Sequence, residues 1–424
     1  MRTLKNLWHQ ICRDKLFTAI YIFGTALTLA TVTVIAVMMW NKVAPVYPEY
    51  QRDNTVYVNS LKTIEKTDNG NMTRQGNLGL STIKDFIFTL PHHDIATAYI
   101  DDWDNHYAQR PDGGRDIELR RKPADPAFFQ LFNFKFLAGK PWGQAEFDSG
   151  LRVAVLGDRT ARKIFGATEP EQLTGRRFTL DFVEYTVCGI VKEGTPTETV
   201  SYAGVIIPYT SLSGFNNETL ELWGSYCVAL RTDDKDGIRR ALKEKQERYN
   251  SSHDDIEISF FDQPVDSVVL GLAGNTSIEG FNLTDILLAG TASLLVLLLV
   301  PALNLSGIIW GRMEGRLPEM GVRKAFGANR STLLSMVLWE NLCLTIAGGI
   351  IGFAAAFLML KFGITDLFVT GNRADESIVT NEMVLSGRII IFIFLVCCLL
   401  NIMSALVPAW RSLRKPIVES LKEN

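Results

Sequence analysis

The residues most able to do chemistry crowd into HHDIATAYIDDWDNH (92–106). His92, His93 and His106 stand there with Asp94, Asp101, Asp102 and Asp104, a set of donors that could ligate a cation. Their spacing matches no zinc or calcium signature. The stretch reads instead as a solvated strand and turn, and no metal site is expected. There is no H-E-x-x-H, G-x-S-x-G or C-x-x-C. Gly139-Lys140 is followed by Pro141, so no phosphate-cradling loop forms there and ATP would have to be handled by a partner. Catalytic residues and cofactors are therefore expected to be none. Cys188 and Cys227 lie in strand-like sequence, where they either form one disulfide or simply pack.

A second stretch, PEMGVRKAFGANRSTLLSMVLWE (318–340), suits docking more than catalysis. Residues 319–326 allow two helical turns that offer Met320, Val322, Ala325 and Phe326 for contact, with Arg323 and Lys324 beside them. Gly327-Ala328-Asn329 interrupts the run. Ser331 is the expected N-cap of the next helix, in which Leu333, Leu334, Val337 and Leu338 form an apolar stripe suited to a membrane interface, turning at Glu340. The alternative is a basic flank that only fixes topology.

The elements that position these residues are set by four uncharged runs, at 16–40, 286–310, 341–360 and 389–410. Each reaches the roughly 20 apolar residues needed to cross a hydrocarbon core. The first is longer than a signal-peptide core and has no A-x-A-like site after it, so a retained helix is expected. Basic residues cluster at the N-terminus (Arg2, Lys5, Arg13, Lys15), in the 311–332 loop, and in the tail, whereas the 361–387 loop is acidic. By the positive-inside rule both termini are cytoplasmic. The expected fold class is a membrane protein of four transmembrane helices with a large α+β extracytoplasmic domain between spans one and two. The organisation is 1–15 amphipathic helix, 16–40 span one, 41–283 outside domain, 284–310 span two and 311–332 cytoplasmic loop. Span three (333–360), an outer loop (361–387), span four (388–410) and a cytoplasmic tail (411–424) complete it. Net charge is −3, which argues against nucleic acid as a partner. Asn304 and Glu340 are polar groups at or near membrane depth, read as structural hydrogen bonding or a snorkelling position rather than a substrate site. Gly348, Gly352 and Ala356 make a small-residue line for helix packing, either within one chain or between two copies.

In the outside segment, 54–61, 151–157, 177–182, 184–191, 203–209, 226–232 and 256–261 read as strands. A helix is expected after Asp158 as N-cap, and another over 236–249 with Ile238, Ala241, Leu242 and Lys245 at helical spacing. Segments 63–79 and 104–116 read as loops.

With these residues in view, EMGVRKAFGANRSTLLSMVLWENLCLTIAGGIIG (319–352) resembles the signature of FtsX/MacB-type ABC transporter permeases. VPAWRSLRKPIVESLKEN (407–424) resembles that family's C-terminal ending, with Trp410 where a basic residue is common. LKNLWHQICRDKLFTAIYIFGTAL (4–27) resembles its opening, with Leu4, Leu7, Trp8 and Ile11 as an amphipathic elbow. FNFKFLAGKPW (132–142), VAVLGDRTARKIFG (153–166) and LTGRRF…YTVCGIV (173–191) resemble its outside core. The resemblance implies a two-lobed MacB-like core domain and a coupling helix at 315–330. That helix would dock on a separate cytoplasmic ABC ATPase subunit through Glu319, Gly321, Arg323, Lys324, Gly327 and Ala328. It implies a non-catalytic subunit of the inner membrane, a second permease copy (homo- or heterodimer), and contact with membrane lipid. An efflux-like role with a periplasmic adaptor and outer-membrane channel is favoured. Lipoprotein extraction (LolC/LolE-like) or a sensor or scaffold are the alternatives.

Overall fold

Apolar runs that suit lipid and alternating runs that suit a half-buried sheet fold apart in this chain. In the computed structural model, residues 1–38 and 287–424 form one compact unit and 39–286 a second. The structure describes residues 15–361 apart from 68–69, 103, 112, 167–168, 195–199, 217–220, 261–263, most of 267–321 and 324, with scattered positions between 391 and 406. The expected amphipathic N-terminal helix, the coupling residues Glu319, Gly321 and Lys324, Asn304, the 362–387 loop and the tail lie outside the described residues. So do most positions of the second and fourth expected spans.

In the first unit, helix α1 (Lys15–Val43) and a 32-residue helix, Arg330–Lys361, contain the apolar stretches Thr18–Val37 and Ser331–Leu360. At 1.5 Å per residue each exceeds the roughly 30 Å of a bilayer core. The second is continuous: no turn separates an interfacial helix from span three, contrary to the expectation at Glu340. The stretch from Ser331 to Glu340 has no Gly or Pro to end a helix. Leu333 and Val337 are buried, as the expected stripe requires, and Leu334 and Leu338 are half-buried.

The second unit is built on β1 (Thr55–Val58), β2 (Leu61–Thr67), β3 (Gly70–Leu78), β4 (Ile95–Ile100), β5 (His106–Gln109), β6 (Ile117–Leu119), β7 (Arg121–Ala124) and β8 (Phe136–Gly139). These are followed by β9 (Val153–Gly157), helix α2 (Asp158–Phe165), β10 (Arg177–Leu180), β11 (Val183–Val191), β12 (Val205–Pro208), β13 (Trp223–Gly224), β14 (Tyr226–Arg231), helix α3 (Lys235–Ser252), β15 (Ile256–Ser259) and β16 (Val265–Asp266). Helix Arg330–Lys361 is α4. The strands pair in the order β15-β2-β3-β14-β4-β7-β12-β9-β11-β10-β5-β6. Most pairs are antiparallel, while β12 with β7 and β11 with β9 are parallel.

Two hydrophobic cores result. One gathers Val56, Leu78, Tyr99, Phe128, Val228, Ile238 and Leu242 under α3. The other gathers Ala154, Leu156, Ala161, Ile164, Phe178, Val187 and Val205 under α2. All seven expected strands are present; six are shorter than expected, and β11 starts one residue earlier, at Val183. Helix α3 starts at an Asp234 cap whose carboxylate accepts the Gly237 N–H at 2.8 Å. Ile238 and Leu242 are buried while Lys245 caps the carbonyls of Asp85 and Phe86. Leu242→Ala should cost about 2–5 kcal/mol, read as a lowered melting temperature.

Three expectations fail. Segment 63–79 is the β2–β3 hairpin; β3 exposes polar side chains along most of its length, which hid the alternation. Segment 104–116 carries β5, which pairs with β6 and β10. Helix α2 is capped by Gly157, and Asp158 is its first residue, its carboxylate accepting the Glu193 N–H at 3.0 Å. Cys188 and Cys227 are unbridged: Cys227 is buried in the first core, and the Cys188 thiol donates to the Ala154 carbonyl. Burial pushes the Cys188 thiol up to about 12, which keeps it protonated.

Candidate coupling site

The stretch before α4 ends in a helical turn closed by a glycine. The Phe326 N–H donates to the Val322 carbonyl at 3.1 Å, and the Ala328 N–H reaches back to the Arg323 carbonyl at 3.0 Å. Between them Gly327 has φ +90, the left-handed conformation in which a side chain is strained. This is a Schellman closure, with Gly327 at the position beyond the C-cap. The Leu333 N–H then donates to the Asn329 carbonyl at 3.2 Å, so α4 starts at Arg330, one residue before the expected Ser331 cap. Of the residues expected to dock, Phe326 is 87% exposed and Val322 is exposed. Ala325 and Gly327 are exposed and Ala328 half-buried. Arg323 is half-buried, with its Nη1 2.8 Å from Met336 Sδ on α4. The turn therefore presents an apolar pair outward and turns one of its cations inward.

The small-residue line of α4 lies against α1. A methyl group on Gly348 would come within 2.9 Å of Thr25 Cβ, and one on Gly352 within 2.7 Å of the Ala26 carbonyl oxygen. Ala356 is buried, and Tyr21 and Thr345 hydroxyls meet at 3.2 Å. Successive contacts climb both helices together, so α1 and α4 run parallel, with Lys15 and Arg330 at the same end. Glu340 is buried within α4.

The His-rich stretch does not form one cluster. His92 is exposed and 3.9 Å from Asp234, while His106 is buried elsewhere. Nor is it a solvated strand: β4 lies between β14 and β7, which buries Thr97, Ala98 and Tyr99. Among the described residues no three His, Cys, Asp or Glu side chains gather as a metal set.

His106 instead joins a charge cluster that sequence reasoning missed. Its Nδ1 is 2.6 Å from Asp181 Oδ2 and its Nε2 is 2.9 Å from Asp102 Oδ2. The Arg121 guanidinium bridges the same two oxygens, at 3.2 Å and 2.6 Å. Burial works against a charged imidazole and Arg121 opposes it too, but the Asp102 and Asp181 carboxylates outweigh both and raise the His106 pKa above its ordinary value. Burial likewise works against the Asp102 charge, yet His106 and Arg121 hold its carboxyl well below the usual carboxylate range. Asp102 follows β4, His106 opens β5, Arg121 opens β7 and Asp181 sits between β10 and β11, so four connections meet here.

These shifts set the sign of the pH dependence. A raised histidine pKa gives stability that is complete below the unfolded value near 6.5 and is lost as pH rises through the folded value. The lowered Asp102 pKa adds stability above about pH 4 that is lost as pH falls through its folded value. Thermal melts of the full chain should therefore fall as the pH is raised from about 6.5. His106→Gln should flatten that slope.

Comparison with known proteins agrees with this architecture. A family model of the MacB-like periplasmic core domain matches residues 18–245, and one of the FtsX-like permease C-terminal region matches 291–417. The chain belongs to the MacB/FtsX family of ABC transporter permeases. It is a membrane permease with a large extracytoplasmic α+β domain, as its sequence resemblance implied. It is 26% identical over 352 residues to the macrolide export ATP-binding/permease protein MacB of Burkholderia cenocepacia (strain HI2424), a match covering 80% of this chain and 47% of that protein. It is 24% identical over 233 residues to the uncharacterized ABC transporter permease YknZ of Bacillus subtilis (strain 168), covering 54% of each. The periplasmic region of MacB from Actinobacillus actinomycetemcomitans is similar at 15% identity with a TM-score of 0.33, covering 52% of this chain and 94% of that one. The chain thus spans about half the length of the curated relatives it matches.

Proposed function

We propose that this MacB/FtsX-family chain is the non-catalytic membrane subunit of an export machine, driven by an ABC ATPase that docks on residues 319–328. The observation that carries the reading is the glycine-closed turn ahead of α4, which exposes Phe326 and Val322 to an incoming partner. Glu319, Gly321 and Lys324 belong to the same docking segment. ATPase closure would push this turn, and α4 would carry the push to α1 through the Gly348–Gly352 contact.

The parallel course of α1 and α4 supports a four-span topology. Two helices that start at the same end need a return crossing between them, and 284–310 supplies the apolar run for it. The 388–410 run would then bring the tail back to the cytoplasm, in an inner membrane whose lipid surrounds the spans. Two copies or paralogues would pair with two ATPase subunits, in an efflux-like arrangement with a periplasmic adaptor and outer-membrane channel.

The test is to solubilise a tagged full chain gently from its native membrane and identify by mass spectrometry what stays bound. An ABC ATPase in stoichiometric amount with an adaptor or outer-membrane channel is expected. ATPase with bound lipoproteins would redirect the reading to extraction, and no ATPase at all would overturn the docking assignment.

A further inference from the structure

Among the described residues, the strands that pair on one side alone are short: β6, β8, β13, β15 and β16 have two to four residues each. The β15 edge is covered as well. Asn250 of α3 donates its amide to the Ile258 carbonyl at 2.9 Å and accepts the Ile258 N–H at 2.8 Å. Gln246 accepts the Phe260 N–H at 2.9 Å. Short or covered edges keep a sheet from pairing with another chain.

Strand β3 departs from this pattern. Its nine residues pair with β2 in an unbroken register over 70–76, but its other side meets β13 and β14 only at Asn77 and Leu78. Trp223 crosses the strand at Gly76, its ring 3.2 Å from where a methyl carbon would stand. Beyond that ring, residues 71–75 are exposed throughout, and their backbone makes no hydrogen bond on the free side among the described residues. Alternate residues of a paired strand turn their N–H and C=O away from the partner, so this run holds an unused ladder. It carries no Pro, no Lys and no bulge, the features that guard an edge, and its single charge is Arg74.

The side chains choose the occupant. Laid antiparallel on itself about Thr73, the run sets Asn71 against Gln75, Met72 against Arg74, and Thr73 against its own copy. Amides meet amides, hydroxyls meet hydroxyls and the lone cation meets a thioether, with no like charges opposed. A centre at Thr73 is also the one that keeps the whole run paired. We propose that β3 pairs antiparallel with β3 of a second copy of this chain, 71–75 on 71–75, joining two extracytoplasmic sheets into one. A five-residue ladder is far smaller than the roughly 1,200 Å² that a free-standing dimer buries, so it forms between copies already held close in one complex. The inference rests on the reading that two copies assemble in one machine.

The test uses the full chain in its native membrane, with the parent chain and its own cysteines as the blank. On mild oxidation Thr73→Cys should give a disulfide-linked homodimer at least tenfold above the blank. Asn71→Cys should give none, because the two copies of that position stand about 14 Å apart along the strands, beyond the roughly 7 Å a disulfide spans. Adding Met72→Arg to the Thr73→Cys chain opposes like charges in both symmetric pairs and should reduce the dimer at least threefold. Adding Arg74→Glu as well opposes unlike charges and should restore it. Both side chains are exposed, so neither change empties a core. No dimer from Thr73→Cys, equal dimer from Asn71→Cys, adducts with a different protein alone, or a dimer unmoved by Met72→Arg would each overturn the proposal. Two differently tagged copies are also purified together without oxidant. Tags that stay apart would count against the two-copy reading, while the crosslink in the membrane decides the ladder independently.

Discussion

Phe326→Asp should abolish co-purification of the ATPase while leaving membrane insertion intact. The ring is 87% exposed beside the exposed Val322, on a turn held by backbone bonds rather than by the ring itself. Its loss removes no packing from this chain. In a partner's cleft the same change deletes an apolar anchor and buries an unpaired charge. Anchor residues of this kind are worth about 2–4 kcal/mol, or roughly 30-fold to 1,000-fold in affinity. Double charge reversal, Arg323→Glu with Lys324→Glu, tests the same docking through its cations and should also release the ATPase. Gly327→Val should act differently: with φ at +90 it strains the turn itself, so binding falls through misplaced neighbours. Quantifying the ATPase retained on each tagged variant checks the series, and unchanged recovery with Phe326→Asp would sink the docking assignment.

Gly352→Leu should separate α1 from α4. The first carbon alone would meet the Ala26 carbonyl oxygen at 2.7 Å and Leu29 Cβ at 2.9 Å, and backbone cannot swing aside as a side-chain tip can. Overpacking of this sort costs about 1–3 kcal/mol or more, with the remaining leucine atoms adding to it. Gly349 provides the contrast. There the nearest atom is on the Phe394 ring at 3.0 Å, so Gly349→Ala should be mild. Melting temperatures of the detergent-solubilised proteins should rank Gly349→Ala above Gly352→Ala above Gly352→Leu. A Gly352→Leu protein as stable as the parent would show that the two helices are not in contact in the membrane.

How far the sequence could be read depended on how local each signal was. Strands such as 184–191 and helix α3 announce themselves by period, because their burial pattern is set by neighbours in the same segment. The Gly327 closure was legible for the same reason: glycine between a short apolar turn and a long apolar run has few other uses. The β2–β3 hairpin was missed although Asn69-Gly70 is a turn signal, because β3 shows water a polar row on both sides of its pleat. Continuity of α4 through Glu340 was hidden because a buried acid in a span reads as a boundary. The His106 cluster had no local signature at all. Asp102, Arg121 and Asp181 reach it from three separate connections, and only the sheet order brings them together. Likewise, LDFV (180–183) marks a left-handed turn only weakly, since Asp181 tolerates that conformation but Phe182 does not favour it.

The spacing of Gly348, Gly352 and Ala356 also works as a ruler. Each step along this row is four residues, about 6 Å of helix rise. Sliding α4 along α1 by a fraction of that distance drives a larger neighbouring side chain into the Ala26 backbone. A full step in one sense brings Leu344 to Thr25, where even a methyl carbon on Gly348 would lie 2.9 Å away, and in the other sets Ala356 against the Ala26 carbonyl, 2.7 Å from any methyl in the Gly352 position. The row therefore admits one register alone, and α1 and α4 are locked against sliding as a single piece.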